Sequence, residues 1–422
     1  MGMTIAEKIL AKHCHKKKVV PGEIVQADLD LVMLTEQLGR RIYREWDKLT
    51  DVINNVWDKN KIVNILDHWA PAPHIDAAEI HMTCRKFVKK YGIIGLDIRS
   101  GICHQVIAER FARPGMLIVG SDSHTCTYGA LNAFSTGLGA TDIVVVMATG
   151  KNWFKVPETM KINLNGKKPP YIFGKDIILH IIGEISVEGA SYKSMEIKGN
   201  SLKDISMDSR LTISNMVVEA DAKCGIFEAD EITQNYFKKK TNEKLHYVKP
   251  DSDAKYLEEL NFQVDKIEPQ VAKPHSPGNA VPVGDVVGTT IQQGFIGSCT
   301  NGRFEDLQIA AKILKGKEIH PDARLIITPA SREVYLAAMQ EGLLEIFIKC
   351  GAMVTNPTCG ACIGGHLGIL ASNEVCISTS NRNFKGRMGH PTSKIYLANA
   401  ATVAASVIKG HITDPRPLME GK

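Results

Sequence analysis

Short apolar runs and longer amphipathic stretches alternate along the chain. Lys61-Ile62-Val63-Asn64-Ile65-Leu66, Met116-Leu117-Ile118-Val119-Gly120 and Arg324-Leu325-Ile326-Ile327-Thr328 are rich in β-branched and aliphatic residues and give way to polar residues. Each predicts a buried strand. Helical spacing follows them over 74–91, 140–149 and 331–341, and another strand is expected from Met160 to Leu164. Parallel strands require crossovers, so this alternation predicts an α/β fold with mostly parallel sheets. Near the start, Met3 to Leu10 reads as a short amphipathic helix. Thr4 is placed to cap it, and Glu7 stands three residues on, the spacing of a capping box.

The pattern breaks in three places. Residues 237–257 are charged and lack apolar periodicity. Residues 268–284 hold Pro269, Pro274, Pro277 and Pro282 with two glycines, which suits a crossing between domains. A softer break falls near Val156-Pro157. The expected division is 1–157, 158–275 and 276–422, because 422 residues exceed what one core accommodates.

The 44% hydrophobic and 23% charged residues are those of an ordinary globular protein. The net charge of +5 is small, and the runs Lys16-Lys17-Lys18 and Lys238-Lys239-Lys240 read as solvated surface, so no nucleic-acid partner is expected. No apolar run reaches the ~18–20 residues that span a bilayer, and the N-terminus lacks the apolar core of a secretory signal. Ten cysteines in this length are not a disulfide framework; they fit a reducing cytoplasm. No P-loop is present, and Gly137-Leu138-Gly139 does not continue into a dinucleotide fingerprint.

Three cysteines stand in distinctive settings. Cys299 lies in Gly297-Ser298-Cys299-Thr300-Asn301. Cys359 and Cys362 form a Cys-Gly-Ala-Cys pair between small residues. Such a pair alone suits a redox couple, half of a zinc site, or two buried thiols. One pair with one remote cysteine falls short of the four ligands that structural zinc takes. Three thiolates do suit three corners of an iron–sulfur cube, leaving an iron open to act as a Lewis acid. Cysteines 14, 84, 103, 126, 224, 350 and 376 read as small buried hydrophobes.

Three histidines add candidate acid–base groups. His68 follows Asp67 just after a strand. His104 lies in Gly101-Ile102-Cys103-His104-Gln105, and His124 in Asp122-Ser123-His124-Thr125. An imidazole held by a carboxylate keeps its proton and orientation. The spacing alone does not bring them together. In the loop from Ser380 to Arg387, Arg382 and Arg387 suit either surface ion pairs or capture of substrate carboxylates.

These motifs together resemble the aconitase superfamily, and within it the large subunits of isopropylmalate isomerase and homoaconitase. The resemblance runs from Met3-Thr4-Ile5-Ala6-Glu7-Lys8-Ile9-Leu10 to the helix at Asn399-Ala400-Ala401. It implies three aconitase-type α/β domains around a [4Fe-4S] cluster, one per subunit, with Cys299, Cys359 and Cys362 as ligands. It pairs Asp67 with His68, Asp122 with His104, and His124 with Glu196. The first pair would protonate the leaving hydroxyl. Arg382 and Arg387 match substrate-carboxylate arginines, Asn381 a residue beside the cluster, and Ser123 a substrate contact. The family's serine base sits on a swivelling domain that does not follow here, so a small partner subunit is expected to supply it. The implied activity is dehydration and rehydration of a hydroxy di- or tricarboxylate of the 3-isopropylmalate or homocitrate type. A dehydratase of an alkylated malate, such as dimethylmalate or citramalate, is a nearby alternative, and a cluster-regulated RNA-binding protein a remote one. The chain departs from the family at Thr35-Glu36-Gln37-Leu38-Gly39-Arg40-Arg41, where an acidic residue and Thr-Gly-Pro are usual; the two arginines there are expected at the surface.

Overall fold

The computed structural model describes residues 2–419. Its N-terminal helix, Ile5–His13, carries the expected capping box: the Thr4 hydroxyl accepts from Glu7 N, and the Glu7 carboxylate accepts from Thr4 N at 2.6 Å. Two of the helix's free N–H groups are thereby satisfied.

Three larger sheets follow, beside a two-stranded antiparallel pair of Ile24–Asp28 with Lys151–Lys155. The first has the order Ile94–Leu96, Ile62–Ile65, Leu31–Thr35, Leu117–Gly120 and Phe134–Gly137, all parallel. Its three central strands are buried at every residue, as strands covered by helices on both faces must be. Helices Glu36–Asp47, Ile75–Tyr91 and Ala140–Thr149 contribute that cover. The second sheet, also parallel, has the order Cys224–Phe227, Ser194–Lys198, Thr159–Asn165 and Glu258–Gln263. The third has a parallel portion of Lys394–Leu397, Val375–Ser378, Gln293–Ile296, Arg324–Ile327 and Met353–Val354. An antiparallel hairpin, Gln270–Ala272 with Ala280–Pro282, extends it.

That hairpin moves a sheet boundary. Gln270–Ala272 was expected before a division at 275, yet it pairs with Lys394–Leu397 of the third sheet. The prolines at 274 and 277 occupy its loop and leave short strands on either side. A continuous apolar cluster joins all three sheets, from Met33 and Ile65 through Ile162 and Ile197 to Phe295 and Ile326. Among the described residues no helix is long and apolar enough to cross a membrane.

The chemistry-bearing segments sit just beyond the carboxyl ends of strands. Asp67 and His68 follow Ile62–Ile65, and Ser121 to His124 follow Leu117–Gly120. Cys299 follows Gln293–Ile296, Cys359 follows Met353–Val354, and Asn381 and Arg382 follow Val375–Ser378. Sites in open α/β sheets collect at that edge.

Candidate active site

The three cysteines converge in one buried pocket. Cys299 lies on a single turn, Ser298–Asn301, entered through Ser298 at φ +69°. A serine in that left-handed region is strained, and such strain collects at functional turns. Cys299 and Cys359 pack together with Ile102 and Ala330. Asn381 links the other pair: its Nδ2 lies 3.4 Å from Cys299 Sγ, and Cys362 Sγ lies 3.5 Å from its Oδ1. A second carboxamide, Asn215 Nδ2, donates to Cys299 Sγ at 3.2 Å. Burial pushes the Cys299 thiol up to about 12, and burial with the charge of Asp67 raises Cys359 well above the ordinary thiol value. Metal binding would favour the thiolate and displace these protons.

Arg303 braces the turn from below. Its buried guanidinium donates to the Cys299 carbonyl at 2.5 Å, to the Thr300 carbonyl, and to Gln105 Oε1 at 2.9 Å. It satisfies carbonyls that a one-turn helix leaves open. The Cys359 turn is tied to the histidine side of the pocket. Cys359 N and Thr358 Oγ1 both donate to the Asp67 carbonyl, at 3.0 and 2.7 Å, and Cys359 Sγ lies 3.8 Å from Asp67 Oδ2.

The histidines gather around Asp122. His104 Nε2 bonds Asp122 Oδ1 at 2.8 Å. His68 Nε2 lies 3.6 Å from Oδ2, and His124 Nδ1 lies 3.4 Å from Oδ1. The Asp122 loop is packed tightly against Gly137, where a Cβ would lie 2.5 Å from the Asp122 carbonyl oxygen; only glycine allows that approach. Burial opposes ionisation of Asp122, but the charge of His104 and the bonds from all three imidazoles hold its carboxyl well below the usual range. His68 is the converse case. Burial would lower it, but the Asp67 charge, the bonds to Asp122 and Asp67 and the nearby Glu36 raise it well above its ordinary value. Its Nδ1 bonds Asp67 Oδ1 at 2.8 Å, so Nε2 is the nitrogen turned toward the Asp122 side.

One expected pairing is wrong. The carboxylate on His124 is Glu219, whose Oε1 lies 2.8 Å from Nε2. Glu196 is in the middle of strand Ser194–Lys198, and its oxygens accept from Ile5 N at 2.9 Å and Tyr256 Oη at 2.6 Å. It anchors the N-terminal helix to the second sheet and does not meet His124. Glu219 lies on the short turn Val217–Ala220, inside an otherwise apolar stretch that carries no motif. Its two oxygens also accept from Arg382 Nε at 2.8 and 3.0 Å.

The remaining expected residues lie as follows. Arg387 is partly buried, and its Nε is buried without a hydrogen-bond partner among the described residues. Ser123 lines a cleft of about 430 Å³ with Ser121, Leu38, Leu138, Tyr192 and Lys223. Arg40 and Arg41 are exposed, Arg40 4.0 Å from Asp76, as expected.

The Aconitase family (aconitate hydratase) matches residues 7–290 and 285–410. The chain belongs to the aconitase family. It is 48% identical over 421 residues to a 3-isopropylmalate dehydratase large subunit of Methanopyrus kandleri, covering 99% of this chain and 100% of that one. It is equally 48% identical over 418 residues to a probable methanogen homoaconitase large subunit of Methanothermobacter thermautotrophicus, covering 98% of both. The solved holo-form of aconitase X from Thermococcus kodakaraensis shares the fold, with a TM-score of 0.51 at 14% identity over 90% of this chain and 88% of that one.

Membership of the aconitase family implies an iron–sulfur cluster, and the pocket fits one. It presents three buried thiols with two carboxamide N–H donors on one sulfur, the bonding that steadies a thiolate ligand. Asn215, Glu219 and Arg303 had no sequence signal; each is a common residue type brought to the site by long-range contacts.

Proposed function

We propose that this chain is the large subunit of a [4Fe-4S] hydro-lyase that dehydrates and rehydrates a hydroxy di- or tricarboxylate of the 3-isopropylmalate or homocitrate type. The observation that carries this reading is the convergence of the Asp122-centred histidines on the same pocket as Cys299, Cys359 and Cys362. The relatives named as large subunits support it.

The three cysteines would hold one cluster per subunit. When bound, it supplies a Lewis acid that makes the substrate hydroxyl a better leaving group. The protein's own residues do the rest. His68, kept charged by Asp67 and Asp122, delivers its Nε2 proton to the departing hydroxyl. Arg382 is fixed through Nε by Glu219, which leaves its terminal nitrogens to clamp a carboxylate, and the unpartnered Arg387 Nε suits a second. His104, Asp122, His124 and Glu219 hold that geometry, and Ser123 and Asn381 flank the substrate. The carbon-bound proton goes to a serine on a swivelling domain of a small partner subunit. The enzyme works in the cytoplasm, where iron and thiols stay reduced.

The test is to co-purify the chain with a small subunit, reconstitute the cluster without oxygen, and screen malate-type acids for the absorbance of an unsaturated product. Product formation by the two-chain complex and none by the large chain alone is expected. Full turnover by the large chain alone would overturn the division of labour.

A further inference from the structure

The segment that departs from the family pattern brings a carboxyl group against the proposed acid. Strand Leu31–Thr35 ends at Thr35, and helix Glu36–Asp47 starts at Glu36 without a side-chain cap. Glu36 is fully buried. Its Oε1 accepts from Trp69 N at 2.8 Å and from Asp67 N at 3.1 Å, and its Oε2 from Asp67 N at 3.2 Å. Those two N–H groups stand on either side of His68. Oε2 also lies 3.9 Å from His68 Nδ1.

Two further contacts point the same way. His81 Nε2, on helix Ile75–Tyr91, faces Glu36 Oε1 at 3.7 Å and is buried with no hydrogen-bond partner among the described residues. His366 Nε2 bonds the His68 carbonyl at 3.0 Å. The peptide from Asp67 to Trp69 is therefore gripped at its N–H groups by Glu36 and at a carbonyl by His366. No lysine or arginine pairs with Glu36 among the described residues, and Arg40 and Arg41 of the same helix are exposed. A carboxyl group is costly to bury, and this one is spent on two backbone donors in the active site and none of the surface charge beside it.

We propose that Glu36 is a positioning residue for His68. It fixes the Asp67–Trp69 backbone so that Nδ1 stays on Asp67 and Nε2 stays turned to the substrate. The proposal rests on the reading of His68 as the acid of the dehydration.

Two substitutions separate reach from mere presence. Glu36→Gln keeps an acceptor oxygen at the same distance, whereas Glu36→Asp withdraws it by about one C–C bond, ~1.5 Å. In the reconstituted two-chain enzyme, E36D is expected to lower kcat at least about tenfold with KM within about twofold, and E36Q to stay within about threefold of the parent in kcat. In the full-length chain without turnover, histidine-selective ¹⁵N NMR is expected to show the His68 ring N–H on Asp67 far downfield in the parent and in E36Q, and lost in E36D. The proposal is overturned if E36D keeps kcat within about twofold, if its loss lies in KM alone, or if E36Q fails as badly as E36D. If E36D does not fold, disappearance of the ring signal in E36Q overturns it and retention supports it. The NMR arm needs no substrate, so failure of the positioning is distinguishable from failure of the proposed reaction.

Discussion

Arg382 bonds Glu219 through a single nitrogen, Nε, which reaches the two carboxylate oxygens at 2.8 and 3.0 Å. Glu219 accepts from His124 Nε2 at the same time. Burial opposes its charge, but His124 and Arg382 hold its pKa below the ordinary value. One carboxylate thus orients His124 and Arg382 together.

Replacing Glu219 should cost far more activity than replacing Glu196. Glu219→Gln is expected to lower kcat/KM about 100-fold or more, roughly 3 kcal/mol. Glu196→Gln should leave kcat/KM within a few fold and lower stability by about 1–3 kcal/mol, because it weakens the bonds to Ile5 N and Tyr256. Steady-state kinetics with denaturant unfolding on both variants checks the assignment.

Asp122 links pH to stability. Its carboxyl is held below the ordinary range by His104, His124 and His68 against the cost of burial. A depressed carboxylate adds stability above its unfolded pKa and loses it as pH falls through the folded one. Asp122→Asn should therefore cost about 3–5 kcal/mol at neutral pH, as removal of one partner from a buried charged cluster does. The gap between variant and parent should narrow in acid. Urea unfolding at pH 7 and at points below pH 3.8 reads both.

Lys175 has the same sign at higher pH. Its buried ammonium donates to the Thr379 and Ser380 carbonyls at 2.9 and 2.8 Å, immediately before Asn381. Burial lowers its pKa from 10.5 to about 7. Between those values the unfolded chain holds a proton that the folded chain has released, so this group makes stability rise with pH from about 7 to 10.5. In the cluster-free chain, Lys175→Met should flatten that rise, and unfolding midpoints across the window measure it.

Arg303 supports the Cys299 turn by geometry as much as by charge. Lysine cannot reproduce its fork onto the Cys299 and Thr300 carbonyls. Arg303→Lys should bind less iron per chain after reconstitution, and the iron should leave faster in air. Iron and sulfide analysis against time reads both.

Much of this was legible along the chain because local chemistry set it. The capping box at Thr4 and Glu7 formed as spaced, and the helix Ala140–Thr149 begins and ends where its apolar periodicity does. The cysteines and the first two histidine–carboxylate pairs lay in motifs at strand ends, where topology gathers them. What was not legible depends on long-range contacts. Glu219 stands 95 residues from His124 and in an apolar stretch, so nothing local distinguished it from Glu196. Glu36 carried no reading of its own within the departing segment, and its side chain reaches a loop 31 residues on.

The cluster's part in the reaction is measured by dehydration of a malate-type acid by the anaerobically reconstituted two-chain complex, run beside the same complex carrying Cys359→Ser. Unsaturated product is expected from the first and none from the second. Equal product from the Cys359→Ser complex, or from a parent complex stripped of iron, would contradict that role for the cluster.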